Sequence, residues 1–150
     1  IGRRQRQGLS GWLVGAPLLI AALAATAFIR PAAQAQSLAY GEPFSEKRLA
    51  QLQAEGRPVF AYFTADWCLT CKVNEKAVIE TTAVEQALKD GKVAVLVGDW
   101  TDGNPELGRF IERHNRAGVP LYLWYKPGQA EPEVLPQLLT QSMFIERAGK

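Results

Sequence analysis

The chain has only two cysteines, Cys68 and Cys71, and they lie three positions apart in the stretch TADWCLTCKVNE, residues 64–75. Two thiols at this spacing are compatible with three kinds of chemistry. They could form a structural disulfide, supply half of a metal site, or exchange electrons with other thiols. The residues around the pair distinguish among these possibilities.

The structural and metal-binding interpretations have the weaker support. A stabilising disulfide gains most by closing a long loop, and two intervening residues close almost none. A zinc site needs about four ligands, whereas the chain offers two thiols and a single histidine, His114. We expect His114 to be a surface residue of a polar helix face, so no metal is predicted. Copper or zinc held between the two thiolates stays an alternative that needs ligands from a partner.

The residues before the pair favour electron exchange. PVFAYFT (58–64) is a β-branched and aromatic run of strand length, and a turn after it would place Cys68 in the first turn of a helix. Unpaired N–H groups and the positive end of the helix dipole stabilise a thiolate there. Cys71 lies one turn further on the same face, within reach of a mixed disulfide. We therefore predict that Cys68 is the solvent-open nucleophile and Cys71 the resolving thiol.

Glu75 is a candidate catalytic acid or base beside the thiols. It follows Cys71 by four positions, so on a helix its carboxylate comes back over that thiol and could take or supply a proton. The alternative is an exposed helix acid that pairs with Lys72 or Lys76.

Three more residues are candidates for substrate docking. Trp67 adjoins Cys68, either as part of a docking surface or as a packing residue. Pro120 in GVPLY precedes an apolar strand, where a trans proline is awkward. A cis Val119–Pro120 bond would leave the Val119 backbone free to pair with a substrate strand held against Cys68. An edge-strand proline is the alternative.

Helix and strand patterns place these residues on an α/β framework. Ser45 predicts a helix N-cap, and Asn104 followed by Pro105 predicts another. Helices alternate with strands before a terminal hairpin, which predicts a mixed sheet with helices on both faces. The predicted elements are helix 45–56, strand 58–64, helix 68–80, helix 83–90, strand 92–100, helix 104–118, strand 119–129, strand 133–139 and a last helix capped by Thr140.

A hydrophobic segment precedes this framework. Residues 8–29 carry no charge over 22 positions, enough to cross a bilayer as a helix at ~1.5 Å per residue. The basic flank 1–7 contains three arginines, against Arg30 alone after the segment, which predicts a cytoplasmic flank and an external C-terminal part. Residues 30–43, rich in Ala, Gln and Pro, are predicted to be a linker to a folded domain at 44–150.

A cleaved leader is the alternative to a retained transmembrane helix, with Ala33-Gln34-Ala35 as its cleavage site. Both interpretations place the domain outside the cytoplasm, which in a bacterium means the periplasm beside the inner membrane. Four of the 17 basic residues precede position 37, so 13 basic residues face 15 acidic ones in the remainder. This balance argues against a nucleic-acid partner.

The combined pattern resembles a thioredoxin fold. More narrowly, it is similar to the C-terminal periplasmic domain of the DsbD-type thiol:disulfide interchange proteins, which are protein-disulfide reductases. The resemblance covers about residues 45–145, and the segment 8–29 resembles the last transmembrane helix before that domain. The segments that carry it are FTADWCLTCKVNE, VGDWTDGNPEL, GVPLYLWY and VLPQLLT.

The resemblance implies a redox-active disulfide between Cys68 and Cys71, a cis Pro120 that faces it, and Glu75 as an acid that tunes it. It implies an upstream membrane dithiol domain as electron donor and periplasmic thiol proteins as acceptors, in disulfide isomerisation or cytochrome c maturation. No cofactor is implied. A thioredoxin-fold binding module with idle thiols stays an alternative. The reducing direction of the proposed exchange rests on the resemblance alone.

One position departs from the pattern. Thioredoxin-like domains often carry a buried Asp six residues before the first cysteine, and this chain has Tyr62 there. A phenol with a pKa near ~10 is a poor base at neutral pH. We therefore expect Glu75 to carry proton transfer alone, or turnover to be slower than in relatives that have the Asp.

Overall fold

The computed structural model describes residues 41–150. The predicted basic flank (1–7), the predicted transmembrane helix (8–29) and all but the last three residues of the predicted linker (30–43) lie outside this part of the chain. Among the residues that are described, no helix has the length and apolar character needed to cross a bilayer.

Helices connect the first four strands, with two successive helices between the second and third strands, and two strands follow each other near the end. In chain order the elements are β1 (Glu42–Pro43), α1 (Glu46–Ala54), β2 (Val59–Thr64), α2 (Leu69–Asn74) with a π-helical continuation (Glu75–Ile79), α3 (Thr82–Asp90), β3 (Ala94–Asp99), α4 (Pro105–Arg113), β4 (Leu121–Tyr125), β5 (Glu133–Val134) and α5 (Gln141–Ala148).

The strands form one mixed sheet in the order β1-β3-β2-β4-β5. Strands β1, β3 and β2 are parallel, with Ala61 opposite Leu96, whereas β4 runs antiparallel to β2, with Tyr62 opposite Tyr122. Strand β5 pairs antiparallel with β4. The mixed sheet and the central position of β2, which leads into the cysteines, confirm the predicted α/β sheet flanked by helices; the transmembrane helix of that prediction lies outside the described residues.

Side chains alternate along the strands and divide the core into two clusters, one on each face of the sheet. We call the face covered by the π-helical turn, α3 and α5 face A, and the face covered by α1 and α4 face B. Face A buries Phe60, Tyr62, Val78, Ile79, Val84, Leu88, Val93, Val95, Tyr122, Trp124, Leu135, Leu139 and Phe144. Face B buries Leu49, Leu52, Val59, Ala61, Phe63, Ala94, Leu96, Phe110, Ile111, Leu121, Leu123 and Tyr125.

Capping residues begin the helices at the predicted places. The Ser45 hydroxyl accepts a hydrogen bond from the Arg48 N–H (3.1 Å), and the Asn104 side chain accepts from Glu106 N (2.8 Å). Thr140 is the N-cap residue of α5, although its hydroxyl makes no capping hydrogen bond. Helix starts were therefore predicted well from local side-chain chemistry.

The end predicted for α4 is wrong. The helix stops at Arg113 rather than near Gly118, with His114 as its C-cap residue. Asn115 has a φ of 57°, and this left-handed conformation, which asparagine tolerates, ends the helix early. His114 is half-buried, with its ring 4.6 Å from that of Phe110, rather than on the surface as we expected.

Two strand predictions also need correction. Strand β1 begins at Glu42, inside the predicted linker, and its pairing with β3 draws those residues into the sheet. The strand predicted at 133–139 ends at Val134. Pro136 has no N–H to donate to a strand partner, and the backbone of Gln137 and Leu139 hydrogen-bonds to Asn74 instead.

Candidate functional site

The two cysteines lie where β2 passes into α2. Cys68 is the N-cap residue of α2, and the Cys71 N–H donates a hydrogen bond to its sulfur (3.2 Å). The two sulfurs are joined in a disulfide. The predicted geometry, with Cys68 at the start of the helix and Cys71 one turn later, is confirmed. An N–H directed at a sulfur at a helix start favours its thiolate.

The disulfide is more enclosed than we expected. Cys68 is 7% exposed and Cys71 is 1% exposed, and both pack with Ala65 and the partly buried Val119. The prediction of a solvent-open sulfur at Cys68 is therefore wrong, because the packing of Ala65 and Val119 buries this residue. Cys68 is the less buried member of the pair.

The loop before β4 lies directly against the disulfide. The Val119–Pro120 peptide bond is cis, as predicted, and Val119 contacts the cysteine cluster. Gly118 lies against the ring of Trp100, where a Cβ at Gly118 would be 3.2 Å from the indole. Trp100 donates from its indole N–H to Asn104 O (3.1 Å), so it holds the loop next to the start of α4.

Glu75 is buried one helical turn after Cys71. Its side chain is only 6% exposed, and both carboxylate oxygens are occupied. The Thr64 hydroxyl donates to Oε1, and the Lys72 ammonium lies 3.2 Å from Oε2. The structure thus combines parts of both interpretations of Glu75: the acid pairs with Lys72, but it does so inside the protein.

Lys72 connects this buried carboxylate to the surface. Its ammonium also lies 3.4 Å from Asp66 Oδ1, on the turn before Cys68. Burial lowers the pKa of Lys72, but the hydrogen bonds and charges of Glu75 and Asp66 outweigh that effect and raise it overall. Lys72 therefore stays an ammonium at neutral pH.

Asn74 anchors the cysteine helix to the rest of face A. Its side chain donates to the Tyr122 hydroxyl (2.9 Å) and to Gln137 O (2.7 Å), and accepts from Leu139 N (3.1 Å). Burial raises the pKa of Tyr122 to about 12; the Asn74 hydrogen bond opposes this shift and the charge of Glu75 adds to it. Tyr122 is therefore neutral beside Glu75.

Residues 41–150 contain no group of three or more His, Cys, Asp or Glu side chains arranged to hold a metal ion. The two sulfurs are bonded to each other. Nothing in the described site thus adds ligands to the thiol pair.

Comparisons with known proteins agree with this geometry. A family model described as thioredoxin-like matches residues 41–127. The chain belongs to the thioredoxin-like family. The thiol:disulfide interchange protein DsbD 1 of Pseudomonas aeruginosa is 35% identical over 83 residues, which make up 55% of this chain and 14% of that protein. The resemblance carried by the cysteine and proline segments is therefore confirmed at the level of sequence, over a small part of a longer relative.

Solved structures show the same fold at lower identity. The reduced C-terminal domain of DsbD from Neisseria meningitidis is 24% identical and superposes with a TM-score of 0.52, covering 67% of this chain and 86% of that one. A thioredoxin from Thermus thermophilus is 22% identical, with a TM-score of 0.55 over 73% of this chain and 84% of its own.

Within this thioredoxin-like domain, Tyr62 is buried on β2. It lies in the apolar cluster of face A, stacked on Phe60 at 5.4 Å. The strand residue that contacts Glu75 is Thr64, two positions later on the same face of β2. Sequence reasoning missed Thr64, although a polar residue at the end of an apolar strand was the signal.

Exposed apolar side chains lie on the cysteine helix, on the turn before it and on the loop that Asn74 binds. Trp67 is 61% exposed, and its indole N–H donates to Thr101 O (3.2 Å), which holds the ring at the surface. Leu69 and Val73 are also exposed, one turn apart on α2, and Leu138 is 71% exposed on the loop bound by Asn74. Leu69, Val73 and Leu138 were not predicted from the sequence, because their exposure depends on how α2 and the loop of Leu138 pack in the folded domain.

Proposed function

We propose that this chain is a protein-disulfide reductase in which Cys68 and Cys71 pass two electrons to partner thiol proteins. The observation that supports this proposal most directly is the Cys68–Cys71 disulfide at the start of α2, with the cis Val119–Pro120 loop packed against it. A thiol–disulfide exchange site needs these features together: a stabilised thiolate, a second thiol within reach and a backbone edge for the substrate.

The reaction begins from the dithiol. The Cys68 thiolate attacks one sulfur of the partner disulfide, and the other partner sulfur leaves as a thiolate that takes up a proton. Cys71 then gives its proton to the Glu75 carboxylate and attacks the Cys68 sulfur of the mixed disulfide. The Cys68–Cys71 disulfide forms, and the second partner sulfur leaves as a thiolate that takes up the proton held by Glu75. Glu75 is then again a carboxylate, and the partner has gained two electrons and two protons.

Docking uses the surface around the pair. In our proposal the Val119 backbone pairs with an extended partner segment, Pro120 shapes that edge, and Trp67 provides an apolar contact beside the nucleophile. Exposure of Trp67, together with Leu69 and Val73, supports this role, because exposed apolar side chains grouped in one place mark interaction sites.

Membrane attachment completes the proposal. Residues 8–29 hold the domain at the outer face of a bacterial inner membrane, an upstream membrane dithiol recharges it, and periplasmic thiol proteins accept its electrons. The length of the uncharged run and the arginines before it support this arrangement. Protease added to intact spheroplasts should remove the domain, with a cytoplasmic protein as the protected control; protection of the domain would contradict it.

The reaction is tested with two serine variants of the full chain in detergent. Cys68→Ser should abolish reduction of a model disulfide such as insulin, because the attacking sulfur is lost. Cys71→Ser should accumulate a covalent mixed disulfide with the partner, because the resolving sulfur is lost. The adduct is visible by non-reducing electrophoresis and mass spectrometry.

A double Cys→Ser variant serves as the control for adducts and reductase activity that do not depend on the pair. Normal insulin reduction by Cys68→Ser would contradict the mechanism. Retained biological function in the double variant would favour a binding module whose thiols are idle.

A further inference from the structure

We propose that Thr64 and Lys72 are positioning residues for the resolving step, in which they fix the Glu75 carboxylate where it takes the proton of Cys71. This inference rests on the proposed function and assigns roles to two side chains outside the cysteine motif.

The contacts of Glu75 carry the proposal. Thr64 donates its hydroxyl to one oxygen, and Lys72 donates its ammonium to the other at 3.2 Å. The two donors come from different elements, the end of β2 and the helix α2, so the carboxylate is held from two sides. A carboxylate held in this way has little freedom to rotate, and the helical interval of four directs it toward the thiol one turn before it.

Charge gives a second reason. Glu75 is 4% exposed, and burial of a carboxylate without a partner is costly. Lys72 supplies the opposite charge and is itself held by Asp66 at 3.4 Å. These contacts link Thr64, Glu75, Lys72 and Asp66 in a series, from the buried end of β2 to an exposed acid on the turn before Cys68.

Thr64 contacts Glu75 directly through its hydroxyl, at the strand position nearest the cysteines. Burial and the charge of Glu75 raise the pKa of Tyr122, so this phenol is neutral at physiological pH.

The proposed effect is confined to one step. Thr64 and Lys72 touch Glu75 and not the attacking sulfur, so they should influence resolution by Cys71 and leave the first attack by Cys68 unchanged. The electron and proton balance is that of the proposed reaction: Cys71–SH loses its proton to Glu75, and its sulfur forms the bond to Cys68 as the partner sulfur leaves.

The two steps can be separated with the aromatic disulfide dithiobis(nitrobenzoate), mixed in equal amount with the reduced full chain in detergent. The first release of nitrothiobenzoate reports attack by Cys68, and the second reports resolution by Cys71. In Thr64→Val, which keeps the shape but removes the hydroxyl, we expect the second release to slow about tenfold, with the first within about twofold of wild type. Thr64→Ser should recover most of the rate.

The pH dependence of the second release provides a further test, because a purely structural role of Thr64 would leave it unchanged. Without a fixed carboxylate, Cys71 has to lose its proton to solvent, so the second release in Thr64→Val should rise steeply with pH from about pH 6 to about pH 8, toward the ordinary thiol range. The rate of the second release in wild type should change less with pH over the same range.

Lys72→Met provides an independent variant if Thr64→Val does not fold. It should slow the second release by a similar factor, and Lys72→Arg should restore it. Matched controls are Thr81→Val, whose hydroxyl donates to Val78 O, and Lys76→Met, whose ammonium pairs with Glu80 at the surface. Neither control contacts Glu75, and both should release nitrothiobenzoate as wild type does.

Wild-type second-release rates in folded Thr64→Val, or in Lys72→Met, would overturn the proposal. So would equal slowing of both releases, because that result indicates a general disturbance of the site. The proposed function is judged separately: if wild type releases both equivalents and the Cys68→Ser variant does not, the reductase mechanism stands whatever Thr64 does.

Discussion

The two faces of the sheet bury different kinds of side chain. Face B is covered by α1 and α4 over an apolar cluster that includes Leu52, Phe63 and Leu123. Face A buries a similar apolar cluster, but the strand and helix beside it also bury Thr64, Asn74 and Glu75, the buried polar or charged side chains of residues 41–150.

The buried polar side chains are grouped around the helix that bears Cys71. A buried polar group costs free energy unless it is hydrogen-bonded, and each of these three side chains has a partner. All three lie on the helix that bears Cys71 or contact it directly. The comparison teaches that face B supports the fold and the loop of Val119 through apolar packing, whereas face A also buries the polar side chains that the proposal assigns to proton transfer at a thiol.

The largest stability effect is expected on face B. Leu123→Ala removes a fully buried side chain from the centre of the apolar cluster and should lower the free energy of unfolding by about 3 kcal/mol. Denaturant unfolding of the oxidised chain, followed by tryptophan fluorescence, measures this loss. Both nitrothiobenzoate releases should keep their wild-type rates in the folded variant.

Leu138→Ala is the matched control, since it removes the same groups from a side chain that is largely exposed, and its stability should change by less than about 0.5 kcal/mol. Slowed release in Leu123→Ala would break the distinction between the two faces.

A smaller loss is expected from the polar anchor on face A. Asn74→Ala leaves the Leu139 N–H and the Tyr122 hydroxyl without their partner and should cost about 2 kcal/mol of stability. Tyr122→Phe removes only one of these hydrogen bonds and should cost about 1 kcal/mol. The same unfolding measurement ranks the two variants, and a larger loss in Tyr122→Phe would refute this account of Asn74.

The smallest effect is expected at the ion pair between Glu133 and Arg147, which is more exposed than the buried pair of Glu75 and Lys72. The hydrogen bond from Arg147 lowers the pKa of Glu133. The pair therefore stabilises the fold above the unfolded-state pKa of about 4.3, and this contribution is lost as pH falls through the folded-state value.

Because the Glu133 side chain is 41% exposed, solvent screening limits the effect of Glu133→Gln to about 0.5 kcal/mol at neutral pH. The variant and wild type should become equally stable at about pH 2, where both carry a neutral side chain. A stability difference between the variant and wild type that grows as the pH falls would contradict this account of Glu133.

Local spacing was enough to predict much of the site. The strand-to-helix junction placed Cys68 at the start of α2, and the interval of four placed Glu75 one turn after Cys71. The first follows from the apolar strand pattern that ends before Cys68, and the second from the period of a helix. The cis bond before Pro120 was predicted from an apolar strand that begins with proline and from the family resemblance.

The remaining features depend on contacts between distant elements. Thr64 meets Glu75 only because β2 and α2 pack in one particular register, and Asn74 reaches Leu139 across a loop that the sequence suggested was a strand. The early end of α4 depends on the backbone conformation of Asn115, which no periodic pattern records. Enclosure of the Cys68 sulfur likewise results from the packing of Val119.

The equilibrium potential of the Cys68–Cys71 pair, measured against glutathione buffers of defined ratio, tests the central claim most directly. Our account predicts full and reversible conversion between dithiol and disulfide, at a potential nearer to about −270 mV than to about −120 mV. A pair that stays oxidised in every buffer would be a structural disulfide. A potential near about −120 mV would make the protein an oxidant and contradict its proposed role as a reductase.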